Sequence, residues 1–340
     1  MNTVLEKNQQ KYTIIVDAMG GDFAPDEILK GAIQESRNLN INLVLAGNKE
    51  IIKNSAFNNN LDISNIEILD CSSEVAMDDH PSDVIKHKKD SSIYLGTQLA
   101  AKKEGSAFLS AGNTGAVMAC SLFNMRKIEG IMRPAIAVVI PLANSKFILI
   151  DAGANVEVKP LYLKQFALMG KIFSQNILSI ENPKIGLLNV GTEEKKGSEI
   201  LVEAFKLLSE SNINFIGNVE GRDIFEGSTD VVVCDGFVGN VLLKSIEGIA
   251  KLFFGEIKSI LTYNLITKLA ASILKGHFKA MKKKFDYEEH GGALLLGVNG
   301  ISIISHGSSK AKAISSAMRV AYENLKIDIV GKIKSEINKV

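Results

Sequence analysis

Short runs of β-branched and aliphatic residues recur along this chain, separated by longer amphipathic stretches. Nearly every run ends in a corner of small and amide residues. The runs are Tyr12–Asp17, Asn42–Ala46, Ile66–Asp70, Ala107–Ser110, Ala135–Ile140, Phe147–Asp151, Lys184–Asn189, Asn214–Gly217 and Asp230–Cys234. Stretches with helical periodicity cover Pro25–Asn38, Ser82–Glu104, Pro160–Leu178, Ser198–Ser211 and Ser309–Lys326. Strands alternating with helices predict parallel pairing, because each crossover returns the chain to the same sheet edge. Both faces of such a sheet are covered by helices, which explains runs that are apolar throughout. The expected class is therefore α/β with a mainly parallel sheet.

The corners read DAMGGD (17–22), SAGNTG (110–115), DAGAN (151–155), NVGTE (189–193), GNVEG (217–221), CDGFVGN (234–240) and SHGSS (305–309). In an open α/β sheet, ligands bind beyond the carboxyl ends of the strands. Glycine lets backbone approach closely, amide and hydroxyl side chains add neutral hydrogen bonds, and helix starts add free N–H groups. Any one corner is also explained as a tight turn. The set points to an anion site. GGDFAP at 20–25 is not the GxGxxG of a dinucleotide fold, which counts against a nicotinamide-dependent dehydrogenase.

A net charge of +1 over 340 residues excludes nucleic-acid binding by bulk charge. Cys71, Cys120 and Cys234 are too few and too scattered for a disulfide framework or a CxxC zinc site. No apolar run reaches the ~18 residues of a membrane span. The first eleven residues are polar and lack the apolar core of a signal peptide. A cytoplasmic chain is expected. From 251 to 284 it carries eight lysines and a single acid, Glu256, with Ile257, Ile260, Leu261, Leu265, Leu269 and Ile273 at helical spacing. That pattern fits a basic amphipathic hairpin on an anionic membrane or an acidic protein, or a core-packed helix pair with a solvated lysine face.

The long motifs VDAMGGDFAPDEILKGA (16–32), MDDHPSDVIKHKKDSS (77–92), SAGNTGAVMA (110–119), RPAIA (133–137), DAGANVEVKPLYLKQFALMG (151–170), GLLNVGTEEKKG (186–197), GNVEGRD (217–223), DVVVCDGFVGNVLLK (230–244) and GGALLLGVNGISIISHGSSKA (291–311) follow one another along almost the whole chain. With them the chain resembles the bacterial phosphate acyltransferase (PlsX) family of phospholipid synthesis. The resemblance implies a three-layer α/β/α sandwich like those of phosphate acetyltransferases and isocitrate dehydrogenases. With no linker dividing it, the chain reads as one catalytic domain over 1–340, with the basic amphipathic stretch as a protruding helical hairpin at 248–289. The resemblance further implies transfer of a fatty acyl group from acyl carrier protein to inorganic phosphate, with no cofactor and no metal. The acyl phosphate would pass to a membrane glycerol-3-phosphate acyltransferase. A homodimer associated peripherally with the membrane is expected.

Phosphate attacking a thioester needs positioning and oxyanion stabilisation more than a strong base. Asn113 and Thr114, opening a helix, suit phosphate. Lys196 is the lead cation, with a solvated loop charge as its plain alternative. Asn240 suits the thioester carbonyl, or caps a turn or helix. His306 is a donor to phosphate or to the leaving thiolate, or is structural. Ser308 and Ser309 bind substrate, or one of them caps the last helix. Gly20, Gly21, Gly115, Asn155, Gly191 and Thr192 complete the expected substrate contacts. Leu265, Leu269 and Ile273 are expected to meet the bilayer or the acyl chain. The cysteines, in apolar contexts, are expected to be inert, so transfer is direct. A nicotinamide-dependent decarboxylating dehydrogenase on the same architecture and a non-enzymatic lipid- or carrier-binding scaffold are the competing readings.

Overall fold

All nine predicted runs form strands, because residues such as Ile14, Ile15, Phe108, Phe147, Ile148 and Val231–Val233 find complete burial there. Each such side chain contributes roughly 1.5–3 kcal/mol when removed from water. The computed structural model describes residues 12–285 and 291–337. The polar stretch 1–11 and the predicted end of the hairpin, 286–289, lie outside the described residues. The sequence has no Pro-, Gly- or Ser-rich linker and reads as one domain. Its contacts group it into two compact units, Met1–Arg126 with Val298–Asp328, and Lys127–Gly297 with Ile329–Val340.

In the first unit the strands are β1 (Thr13–Asp17), β2 (Asn42–Gly47), β3 (Glu67–Asp70), β4 (Ser106–Ser110) and β11 (Ile301–Ile304). They run parallel in the order β3-β2-β1-β4-β11. The helices are α1 (Asp26–Leu39), α2 (Lys49–Asn58), α3 (Pro81–His87), α4 (Ser92–Lys102), α5 (Thr114–Met125) and α10 (Ala311–Lys326). α1 packs on α10, and α4 on α5. Every residue of β1 and β4 is buried, so helices cover the sheet on both faces. The predicted helix 82–104 is two helices. Ser91 starts the second by accepting a hydrogen bond from Tyr94 N–H.

In the second unit β5 (Ala135–Pro141), β6 (Lys146–Ile150), β7 (Ile185–Leu188), β8 (Phe215–Val219), β9 (Val231–Val233) and β10 (Ala293–Leu296) take the order β10-β5-β6-β9-β7-β8. β10, β5 and β6 pair antiparallel, and the rest are parallel. Its helices are α6 (Pro160–Phe173), α7 (Glu199–Ser209), α8 (Gly236–Leu261), α9 (Leu265–Phe285) and α11 (Ile329–Ile337). α8 and α9 are the arms of the predicted hairpin. The first arm begins at Gly236, earlier than the predicted 248, and runs 26 residues without a break, about 39 Å. Among the described residues no helix is long and apolar enough to cross a membrane.

Candidate active site

In the first unit, parallel pairing brings the ends of β1, β4 and β11 to one edge of the sheet. Asp17, fully buried at the end of β1, organises that edge. Its carboxylate accepts from Met19 N–H at 3.0 Å and from the Ser110 hydroxyl at 2.7 Å. Ser110 Oγ in turn accepts from Gly112 N–H at 2.9 Å. Burial pushes the Asp17 carboxyl above its ordinary value, against the pull of hydrogen bonds from Ser92, Ser110, Met19 and Gly20. Gly20 has to be glycine, because a Cβ there would lie 2.4 Å from Asp17 Oδ2 and 2.7 Å from Gly112 N. Gly21 has φ +108°, and Asp22 N–H donates to Gly307 O at 2.8 Å.

Asn113 is the N-cap of α5. Its Oδ1 accepts from Ala116 N–H at 3.0 Å, and its Nδ2 donates to the carbonyls of Ala76, Met77 and Asp79 at 3.2, 3.0 and 2.9 Å. The amide expected to face phosphate is thus committed to holding the 76–79 loop. The Thr114 and Gly115 N–H groups at the same helix start have no partner among the described residues, as the first turn of a helix dictates. Asp79 secures the loop from its other side, accepting from Ala76 N–H at 2.7 Å and Lys88 Nζ at 2.6 Å. The lysine holds the Asp79 carboxyl below its usual range.

His306 Nδ1 accepts from Ser308 N–H at 3.2 Å, which places the proton of the neutral ring on Nε2. The Ser308 hydroxyl lies 2.8 Å from the same nitrogen. Neither Ser308 nor Ser309 caps the last helix. Ser309 is buried with its N–H on His306 O, and α10 starts two residues later, where Ala311 N–H donates to Glu27 Oε2 at 3.1 Å.

In the second unit the DAGAN corner wraps a buried carboxylate. Asp151 Oδ1 accepts from the N–H groups of Ile136, Gly153 and Ala154 at 3.0, 3.1 and 2.9 Å. Its Oδ2 accepts from Asn155 N–H at 2.7 Å and Asn155 Nδ2 at 2.8 Å. Burial pushes its carboxyl up, opposed by those donors. Asn155 Nδ2 also reaches Pro134 O at 2.7 Å, so this amide too is spent on the corner. The first turn of α8 lies directly on it. Asp235 caps the helix by accepting from Val238 N–H at 2.9 Å, and Gly236 N–H donates to Asn155 O at 2.7 Å. A Cβ on Gly239 would sit 1.9 Å from Asp151 O. Asn240 follows on the exposed side of this turn. A Cβ on Gly153 would lie 3.8–3.9 Å from its side chain, and its amide has no hydrogen-bond partner among the described residues.

Along the same sheet edge, β7 ends in the 189–197 loop that holds Gly191, Thr192 and Lys196. Lys196 is half exposed, with its ammonium 3.8 Å from Glu193 Oε1, and a Cβ on Gly191 would lie 2.8 Å from Glu193 Oε2. Asn189 and Asn218 support this loop from below, two residues that sequence reasoning left without a role. Their only signal was an amide at a strand end.

The three cysteines are free and buried. Burial pushes the Cys71 and Cys120 thiols up to about 12 and Cys234 well above its ordinary value, so none is a ready nucleophile. Among the described residues no group of three His, Cys, Asp or Glu is placed to hold a metal. Leu265, Leu269 and Ile273 form a stripe on α9, each at least two-thirds exposed.

The family described as "Fatty acid synthesis protein" matches residues 12–332. A phosphate acyltransferase of Halothermothrix orenii is 48% identical over 96% of this chain and 98% of its own length. One from Clostridium tetani is 46% identical over 95% of this chain and 97% of its own. Among solved structures, a phosphotransacetylase from Streptococcus pyogenes, 15% identical, superposes with a TM-score of 0.64 over 94% of this chain and 95% of its own, a likeness of fold. On this evidence the chain belongs to the fatty acid synthesis protein (PlsX) family, a family of acyltransferases.

Proposed function

We propose that this protein transfers a fatty acyl group from the thioester of acyl carrier protein to inorganic phosphate, giving acyl phosphate for phosphatidic acid synthesis. A phosphate oxygen attacks the thioester carbonyl carbon. The new C–O bond forms while the carbonyl electron pair moves to oxygen. The C–S bond then breaks as the carbonyl is restored, and the leaving thiolate takes the proton that hydrogen phosphate brought. The products are acyl phosphate and the free carrier thiol.

The observation that carries this reading is the start of α5. Its Thr114 and Gly115 N–H groups are unpartnered beside the close-packed Gly20 and Gly112 backbones, at the positive end of a helix dipole. Phosphate is held there. Asn113 and Asp17 shape that corner. Ser308, on His306 Nδ1, orients the ring, and His306 gives its Nε2 proton to the leaving thiolate and takes the proton of hydrogen phosphate in its place, so that the ring ends neutral. The second unit, taken by itself, offers groups of the same kind: the unpartnered Asn240 amide suits a thioester carbonyl, and the Lys196 ammonium, in the loop of Gly191 and Thr192, suits developing negative charge. The buried cysteines support attack by phosphate itself rather than an acyl-enzyme.

The exposed apolar stripe of α9 and the lysines around it support a role for the hairpin at an anionic membrane surface. There a cytoplasmic homodimer would hand acyl phosphate to a membrane glycerol-3-phosphate acyltransferase.

The test is to incubate the purified chain with acyl-[acyl carrier protein] and phosphate. Free thiol and hydroxylamine-trapped acyl phosphate are then followed together. The two should rise in equal amounts; thiol without trapped product would mean hydrolysis and would overturn the reading.

A further inference from the structure

The 189–197 loop has little packing to hold it. Residues 193–200 are all exposed, as is Val190, so the loop's shape has to come from hydrogen bonds. Two of these come from buried amides at the ends of neighbouring strands. Asn189, just beyond β7, donates Nδ2–H to Lys196 O at 2.9 Å, and Asn218, in β8, donates Nδ2–H to Glu193 O at 2.8 Å. Lys196 N–H on Glu193 O, 3.1 Å, closes the turn between the two clamped carbonyls. The loop is drawn hard onto Asn189: Gly197 has φ +89°, and a Cβ there would meet Asn189 Oδ1 at 2.5 Å.

Asn218 is only 6% exposed and its Oδ1 has no partner among the described residues. An unsatisfied buried acceptor destabilises the fold, because water solvates that oxygen in the unfolded chain. Keeping an amide here makes sense only if its other end does something, and among the described residues the one bond that end makes is to the loop. We propose that Asn189 and Asn218 are positioning residues that clamp the 193–196 turn and fix where the Lys196 ammonium can reach. The inference rests on the reading of Lys196 as a charge-stabilising group in the proposed reaction.

The test is a double-mutant cycle on kcat/KM for phosphate with Lys196→Ala, Asn218→Ala and the pair. Trypsin cleavage after Lys195 or Lys196 is read in parallel. A misplacement of order 1 Å can cost up to ~100-fold, so Asn218→Ala should lower kcat/KM about 10- to 100-fold and speed cleavage of the loop. In the Lys196→Ala background the same change should cost less than about twofold, because nothing is left to position. Asn218→Asp keeps the side-chain shape without the donor, and serves if the alanine variant does not fold. Effects that multiply, or an Asn218 variant with wild-type kinetics, overturn the clamp while leaving the role of Lys196 standing. Wild-type kinetics in Lys196→Ala alone would overturn that role, and the clamp with it.

Discussion

Gly239→Ala adds a single methyl group where the start of α8 crosses the DAGAN corner. The new Cβ would lie 1.9 Å from Asp151 O, and ordinary contact begins at 3.4 Å. Backbone faces it, so no side chain can swing aside. Helix and corner have to separate by roughly 1.5 Å, and overpacking of this kind costs about 1–3 kcal/mol. The same substitution at Gly248, further along α8, meets nothing within 4 Å. There alanine's better helix propensity should stabilise by up to about 1 kcal/mol. An unfolding entropy of roughly 2.1 cal/mol/K per residue makes each kcal/mol worth about 1.4 °C in a chain of this length. Gly239→Ala should therefore lower the unfolding midpoint by about 1.5–4 °C, and Gly248→Ala should raise it by about 1 °C. The displaced corner carries Gly153 and its neighbour Asn240, so acyl phosphate formation by Gly239→Ala should fall by about 100-fold in kcat/KM. Calorimetry and the thiol-release assay on the two variants give both readouts. Equal midpoints and equal rates for Gly239→Ala and Gly248→Ala would refute the packing argument.

Burial raises Asp17 above 3.8 in the folded protein. Between the unfolded and folded values the native state holds a proton that the unfolded chain has lost, so stability falls as pH rises through that window. Asp17→Asn should remove this slope. The difference in unfolding midpoint between variant and wild type should move in the variant's favour from about pH 4 upward; a pH-independent difference would count against it. Replacing Cys71, Cys120 and Cys234 with Ala should leave acyl phosphate formation within a few-fold of wild type in protein that folds, because no buried thiol is used; complete loss in folded protein would restore an acyl-enzyme. Changing Leu265, Leu269 and Ile273 together to Glu removes the exposed stripe of α9. It should abolish cosedimentation with anionic vesicles while phosphate binding survives, and unchanged sedimentation would reject the membrane role.

The strands were legible because continuous burial demands continuous apolar runs. β10 and β11 were not, although ALLL and ISII are apolar. Each is four residues long in a glycine-dense stretch, and becomes a strand only by pairing with β5 and β4, far away in sequence. The two-unit division was hidden for a related reason. The first unit is assembled from Met1–Arg126 and a segment far along the chain, Val298–Asp328, and the crossing points carry no linker composition. At the site, the corners could be read but not the use of each amide. Asn113, Asn155 and Asn240 all stand in glycine corners. The first two spend their amides on backbone, whereas Asp235 takes the cap of α8 and leaves Asn240 open. A start for the last helix at Ser309 was a fair inference from composition. The donor there is satisfied instead by Glu27, 284 positions away, which no local pattern could reveal.

Direct attack by phosphate is tested most plainly by rapid-quench measurement of free thiol from acyl-[acyl carrier protein] with enzyme near stoichiometric amounts. Without phosphate, no thiol should appear on the timescale of turnover; on adding phosphate, thiol should rise without a burst. One equivalent of thiol released per enzyme in phosphate-free buffer would show the acyl group resting on the protein, and the account would be contradicted.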